Sequence, residues 1–343
     1  MLEPRERLIF ALDVPDKQTA LAYVKELRDE VGLFKVGLEL FLAEGPQILQ
    51  DVVNAAGSPA KVFLDLKLYD IPATVLGAIS TIVHGVALIT VPSDLGPTGL
   101  KKIVDSEGSA HKILAVTLLT SMTGEDLKAL GFAPRFAKDP VKLVVHKAKL
   151  AKEVGCHGVV CSGREVKAVK AACGSGFLAV CPGIRPAWAA VAADDQQRIV
   201  TPFDAIANGA DYIVVGRPIR QAEDRVAAAR RVVEEIAAAM GKESDEKDLE
   251  VELSRLYHEW GALGYWAKRF YQMFSPHCKR YKGGVSAVRT VLYKYQTAGW
   301  SFLKNKERMD LSIESLVLKP EWHKLFNDKD RHRAKMKLSQ KTF

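Results

Sequence analysis

The sequence predicts a (β/α)8 (TIM) barrel followed by a small all-α domain, and three observations carry that reading. Eight short apolar runs, most followed by a longer segment of helical character, occupy about the first 240 residues, which is the pattern and size of eight β-then-α units. The stretch after the first run, Asp13-Val14-Pro15-Asp16, holds no glycine. A doubly wound open sheet, the structural alternative, needs a Gly-rich phosphate loop at that place. Finally, charge shifts along the chain. Of 49 Lys/Arg and 41 Asp/Glu, 20 and 12 lie from Ser244 onward, which leaves 29 of each before it. The whole net charge of +8 therefore belongs to the last hundred residues, and the shift marks a domain boundary.

The strands are expected at Leu8–Leu12, Leu33–Val36, Val62–Leu66, Ala87–Val91, Ile113–Leu118, Gly158–Cys161, Leu178–Val180 and Tyr212–Val215. Most are rich in Val, Ile, Leu or Phe without strict alternation, as expected where both faces of a parallel sheet are buried. Lys17–Val31, Phe41–Ala55, Val141–Val154 and Gln221–Met240 are amphipathic and are read as helices. The domains follow as a barrel over 1–241, a charged linker or helix start over 242–256, and a basic, aromatic-rich helical module over 257–343.

Composition excludes several classes. No apolar run reaches the ~18 residues of a membrane span, and MLEPRERLIFALDVPD lacks the parts of a signal peptide. A cytoplasmic location is expected. The five cysteines (156, 161, 173, 181, 278) form no CxxC pair and no short His/Cys ligand spacing. They read as buried free thiols of a reducing compartment rather than zinc ligands.

The chemistry concentrates in VFLDLKLYDIPATV, residues 62 to 75. Side chains alternate along a strand, so Asp65 and Lys67 are expected on one face, with Asp70 beyond the strand end. Taken alone, such a pair is usually a surface ion pair, Lys35 a snorkelling lysine and Arg217 a helix-end cap. In a barrel, however, the C-terminal strand ends form the site. There the sequence places Asp13, Lys35, Asp65, Lys67, Asp70, Thr120-Ser121, Arg185 and Gly216-Arg217 together. The loops after strands seven and eight often hold phosphate. Gly216 permits close backbone approach and Arg217 adds a bidentate cation, so a phosphorylated substrate is expected.

The ordered segments ALDVPD, FKVGLELF, FLDLKLYDIPATV, LAVTLLTSM, CPGIRP, ADDQQRIVTP and DYIVVGRPI resemble the orotidine 5′-phosphate decarboxylase family over about Arg7 to Met240. That resemblance implies conversion of orotidine 5′-monophosphate to UMP and CO2 with no metal and no organic cofactor. It implies Lys67 as proton donor to C6, within an alternating array of Lys35, Asp65, Lys67 and Asp70. It further implies a homodimer in which Asp70 and Thr74 enter the partner's site. By the same resemblance, Asp13 and Lys35 bind ribose hydroxyls, Thr120 lies by the pyrimidine, and Arg185, Gln196, Gly216 and Arg217 hold the phosphate. The segment Gly183–Gln197, beside the phosphate residues, is read as the lid. One segment departs from the family pattern: Thr90-Val91-Pro92-Ser93 stands where Thr-Val-His-Ala is common. Two other readings stay open. One is a sugar-phosphate decarboxylase or aldolase of the same superfamily. The other is an inactive barrel that binds a nucleotide or nucleic acid.

The tail reads as three to five short helices. Tyr257–Phe274 is aromatic-rich, Gly283-Gly284 is a break, Val285–Tyr295 is a helix, Leu311–Leu318 a helix or turn, Pro320 starts another, and Asp328–Lys341 is a basic helix. Its aromatics form its own core, or stack on nucleic acid beside Lys and Arg, or meet a protein partner.

Overall fold

The computed structural model describes residues 2–57, 61–82, 85–107, 111–189, 200–275, 283–294 and 297–339. The chain forms two compact units, Met1–Ala239 and Met240–Phe343, which are described separately.

The first unit is a closed barrel of parallel strands in sequence order: β1 Leu8–Ala11, β2 Leu33–Gly37, β3 Val62–Asp65, β4 Val86–Pro92, β5 Lys112–Val116, β6 Gly158–Val160, β7 Leu178–Cys181 and β8 Tyr212–Val215. Pairing of β1 with β8 closes the ring and removes both edges. Strand residues are buried on both faces because one side meets the barrel interior and the other the helices. Ile9, Ala11, Leu33, Phe63, Leu88, Leu114, Val116 and Val214 belong to one interior cluster. The side-chain period of two then dictates what lies above them. Asp13, Lys35, Asp65 and Thr90 each stand two residues after an interior apolar residue, at the C-terminal rim.

Most expected helices are present with shifted ends. Lys17–Leu27 starts where Asp16 accepts a bond from the Thr19 N–H at 2.8 Å. Pro140–Glu153 matches the third stretch. The expected Phe41–Ala55 helix is instead two, Leu38–Glu44 and Gln47–Ala56, because Gly45 (φ 70°) and Pro46 interrupt it. Four cysteines, 156, 161, 173 and 181, are free and buried. Burial pushes the Cys156 thiol up to about 12, so it stays protonated and unreactive at neutral pH. Cys278 lies outside the described residues. No helix among the described residues is long and apolar enough to cross a membrane.

The stretch 242–256 is helix rather than linker, part of Arg225–Ala262. Leu249, Leu253, Leu256 and Trp260 recur at helical spacing and are buried in the core of the second unit. Phe270, Phe274, Val288, Leu316 and Phe326 complete that core, so most of the tail's aromatics pack against one another. Trp266, half exposed, still meets the Tyr257 ring edge-on at 5.3 Å. Helices Lys268–Phe274, Gly284–Leu292, Ala298–Asn305, Ile313–Val317 and Asp328–Ser339 surround it. Lys337 and Glu314, both buried, pair at 2.9 Å.

Glu252 predicts acid sensitivity for this unit. Paired bonds from Arg255 at 2.7 and 2.8 Å, and one from Lys319 at 3.0 Å, hold its carboxyl at about 2. A depressed carboxylate stabilises the fold above the unfolded value near 4.5, and that stability is lost as pH falls towards 2. Glu252→Gln is expected to remove on the order of 2 kcal/mol at pH 7 and to flatten the acid limb of denaturation between those values. Thermal melts of both proteins across that range are the check.

Candidate active site

The site is built where β3 leaves the sheet. The strand ends at Asp65, one residue sooner than the apolar run suggests. Lys67 then takes a left-handed backbone, φ 51°, a conformation that costs a side-chain-bearing residue on the order of 1 kcal/mol or more and clusters at functional sites. Strand alternation therefore does not bring Asp65 and Lys67 together, although they meet: Lys67 Nζ lies 2.9 Å from Asp65 Oδ1. Thr90, fully buried on β4, fixes this turn. Its hydroxyl accepts from the Lys67 N–H at 2.9 Å and donates to Asp65 Oδ1 at 3.0 Å. Its carbonyl accepts from the Leu68 N–H at 3.1 Å.

The second lysine continues the alternation of charge. Lys35 Nζ donates to Asp13 Oδ1 at 2.8 Å and stands 3.9 Å from Asp65 Oδ2. Gly37 leaves room for this pair, since a Cβ there would sit 2.8 Å from Lys35 Nζ and 3.3 Å from Asp13 Oδ1. Asp13, Lys35, Asp65 and Lys67 thus form one chain of alternating sign. Asp70 is not in it. That carboxylate is exposed and accepts from the Ile71 N–H at 2.6 Å. Thr74, on the helix Pro72–Ile79, is also exposed.

A cavity of about 570 Å³ opens over the array. Asp13, Lys35, Asp65, Lys67, Thr120, Arg185, Gly216 and Arg217 line it, so most of the residues expected from the sequence converge. Arg185 is steadied by its backbone N–H on the Val200 carbonyl and by its Nη1 on the Ile184 carbonyl, each at 2.9 Å. Gln196, and most of the expected lid, lie outside the described residues. Arg220 also lines the cavity and was missed. Its i+3 spacing from Arg217 on a short helix was the available signal. Lys147 ties together the segments that follow β4 and β5, donating to both Asp94 carboxylate oxygens at 2.8 and 3.0 Å and to the Thr117 carbonyl at 2.9 Å. Pro92 is the last residue of β4, where its missing N–H ends the ladder.

The model of the Orotidine 5′-phosphate decarboxylase / HUMPS family matches residues 6–232. The chain belongs to this family. It is 47% identical over 238 residues to an orotidine 5′-phosphate decarboxylase of Desulfosudis oleivorans, covering 69% of this chain and 95% of that one. A relative of the same name from Trichlorobacter lovleyi is 45% identical over 246 residues, 69% of this chain and 98% of its own. The crystal structure of orotidine 5′-phosphate decarboxylase from Lactobacillus acidophilus superposes with a TM-score of 0.54 at 34% identity, over 67% of this chain and 98% of that one. The family match stops at residue 232, so the second unit is an addition to an otherwise full-length family barrel.

Within this family barrel, Thr90 is a positioning residue that the sequence did not reveal. Thr90→Val keeps its shape and removes the hydroxyl, leaving the half-buried Asp65 Oδ1 and the Lys67 N–H each one partner short. The expected cost is ~1–3 kcal/mol of stability. Turnover should also drop, because Lys67 loses the bond that holds its left-handed turn. Urea denaturation and steady-state assays of the variant measure the two effects.

Proposed function

We propose that the protein decarboxylates orotidine 5′-monophosphate to UMP and CO2, with Lys67 as the proton donor. The observation that carries this is the alternating chain Asp13–Lys35–Asp65–Lys67 on the floor of a cavity also lined by Arg185, Arg217 and Arg220. An anionic phosphate fits the arginines, whose planar forks match phosphate oxygens. Asp13 and Lys35 are paired where ribose hydroxyls would be bound, and Thr120 lies on the side of the pyrimidine.

In the reaction the bond from C6 to the carboxylate breaks and CO2 leaves, with the electron pair remaining on C6. The Lys67 ammonium, fixed before the substrate arrives, stabilises that charge and then passes a proton to C6. Solvent reprotonates Lys67. Phosphate binding remote from C6 supplies free energy that orients the ring and closes the site. Asp65 does two things: it holds Lys67 in place and puts negative charge near the departing carboxylate.

The working form is a cytoplasmic homodimer. Asp70 and Thr74 stand exposed beside Tyr69 and Ile71, which are 68% and 66% exposed. A charged residue and large apolar side chains left together on a rim favour an interface, through which Asp70 would complete the array of the partner.

The deciding experiment is CO2 release from orotidine 5′-monophosphate by the full chain, with and without a chelator. Equal turnover in both is expected. Absence of CO2 release would favour the nucleotide-binding reading, and loss with chelator would favour a metal-dependent sugar-phosphate enzyme.

A further inference from the structure

We propose that the C-terminal unit carries a nucleotide site of its own, in a cavity of about 380 Å³ walled by Trp260, Tyr265, Trp266, Phe270 and Trp300. The volume lies within the ~300–1,000 Å³ of small-molecule sites. The walls are set before any ligand arrives. Trp266 is seated on Gly261, where a Cβ would stand 2.4 Å from the indole, and Tyr265 on Gly299, where it would stand 3.1 Å from the ring. Tyr265 also stacks on Phe302 at 5.2 Å. The Trp260 indole donates to the Leu311 carbonyl at 2.9 Å.

Trp266 is 53% exposed, and a rigid, half-solvated indole is a platform for a planar ring. Trp300 adds a third indole to the wall. Lys268, Arg269 and Lys294, all exposed, line the same cavity and suit a phosphate. Glu314 lines it too, but that carboxylate is compensated by Lys337 at 2.9 Å. A hydrocarbon ligand would use the walls and leave the three cations without a role. A base carrying a phosphate uses all of them. That chemistry is shared by a free nucleotide and by one nucleotide of a single strand.

The test titrates the full chain with AMP, chosen because the barrel is read as a pyrimidine-nucleotide site, and with a fluorescein-labelled ten-nucleotide oligo(A) RNA. At least one probe is expected to bind. Trp266→Ala should weaken binding about tenfold, the scale of one stacked base, with CO2 release unchanged. Binding of AMP as well as the strand assigns a free-nucleotide site; binding of the strand alone assigns a single-strand site. Should Trp266→Ala not fold, Lys294→Ala at an exposed residue must weaken the same binding. No binding of either probe, or binding that survives these substitutions, overturns the proposal.

Discussion

Lys67→Ala is expected to lower kcat by at least ~10⁴-fold while leaving the protein folded. The size follows from the two tasks given to one ammonium. Proton delivery by a placed acid contributes ~10²–10⁴-fold, and a pre-set charge facing a developing anion contributes ~10²–10³-fold. The substitution removes both, and such effects overlap rather than multiply in full. The fold should survive because Lys67 is half-buried at the rim and not part of the interior cluster. Alanine also carries a Cβ, so the left-handed turn at φ 51° is no more strained than before. The Thr90 hydroxyl still meets the backbone N–H of residue 67. Steady-state kinetics beside a thermal melt separate lost catalysis from lost structure.

Asp70→Ala is expected to lower turnover by ~10²-fold or more, although this carboxylate touches nothing in the array of its own chain. Asp70 is exposed, and its bond within the chain is from the next residue's N–H. A surface carboxylate with that environment should be replaceable at a cost near zero. A large loss of activity with unchanged stability would therefore place it in the site of a second copy. There it would face Lys67 from the side opposite Asp65 and complete the alternation of charge.

How much of this was legible in the sequence depends on what held each part in place. The strands were legible because both of their faces are buried, so apolar runs mark them within a residue or two. The break at Gly45-Pro46 was written in the chain, as a glycine in the left-handed region followed by a proline. The charged stretch 242–256 suggested a linker, yet Leu249, Leu253 and Leu256 already carried the helical spacing that buries them. At the site, Asp13, Lys35, Asp65, Lys67, Arg185 and Arg217 were visible as polar residues at strand ends. The left-handed Lys67 was not, because a tertiary contact from Thr90 imposes it against local preference. Gly37 was hidden for a similar reason: its role is the space it leaves for Lys35 and Asp13.

In the proposed dimer, one active site takes Lys67 from one chain and Asp70 from the next. Mixing the two variants measures it. Lys67→Ala and Asp70→Ala proteins, each inactive alone, are unfolded together in denaturant, refolded, and assayed for CO2 release. Random pairing makes half of the dimers mixed, and each mixed dimer holds one site with both residues intact, so about a quarter of wild-type activity should return. A mixture as inactive as its components would contradict the shared site.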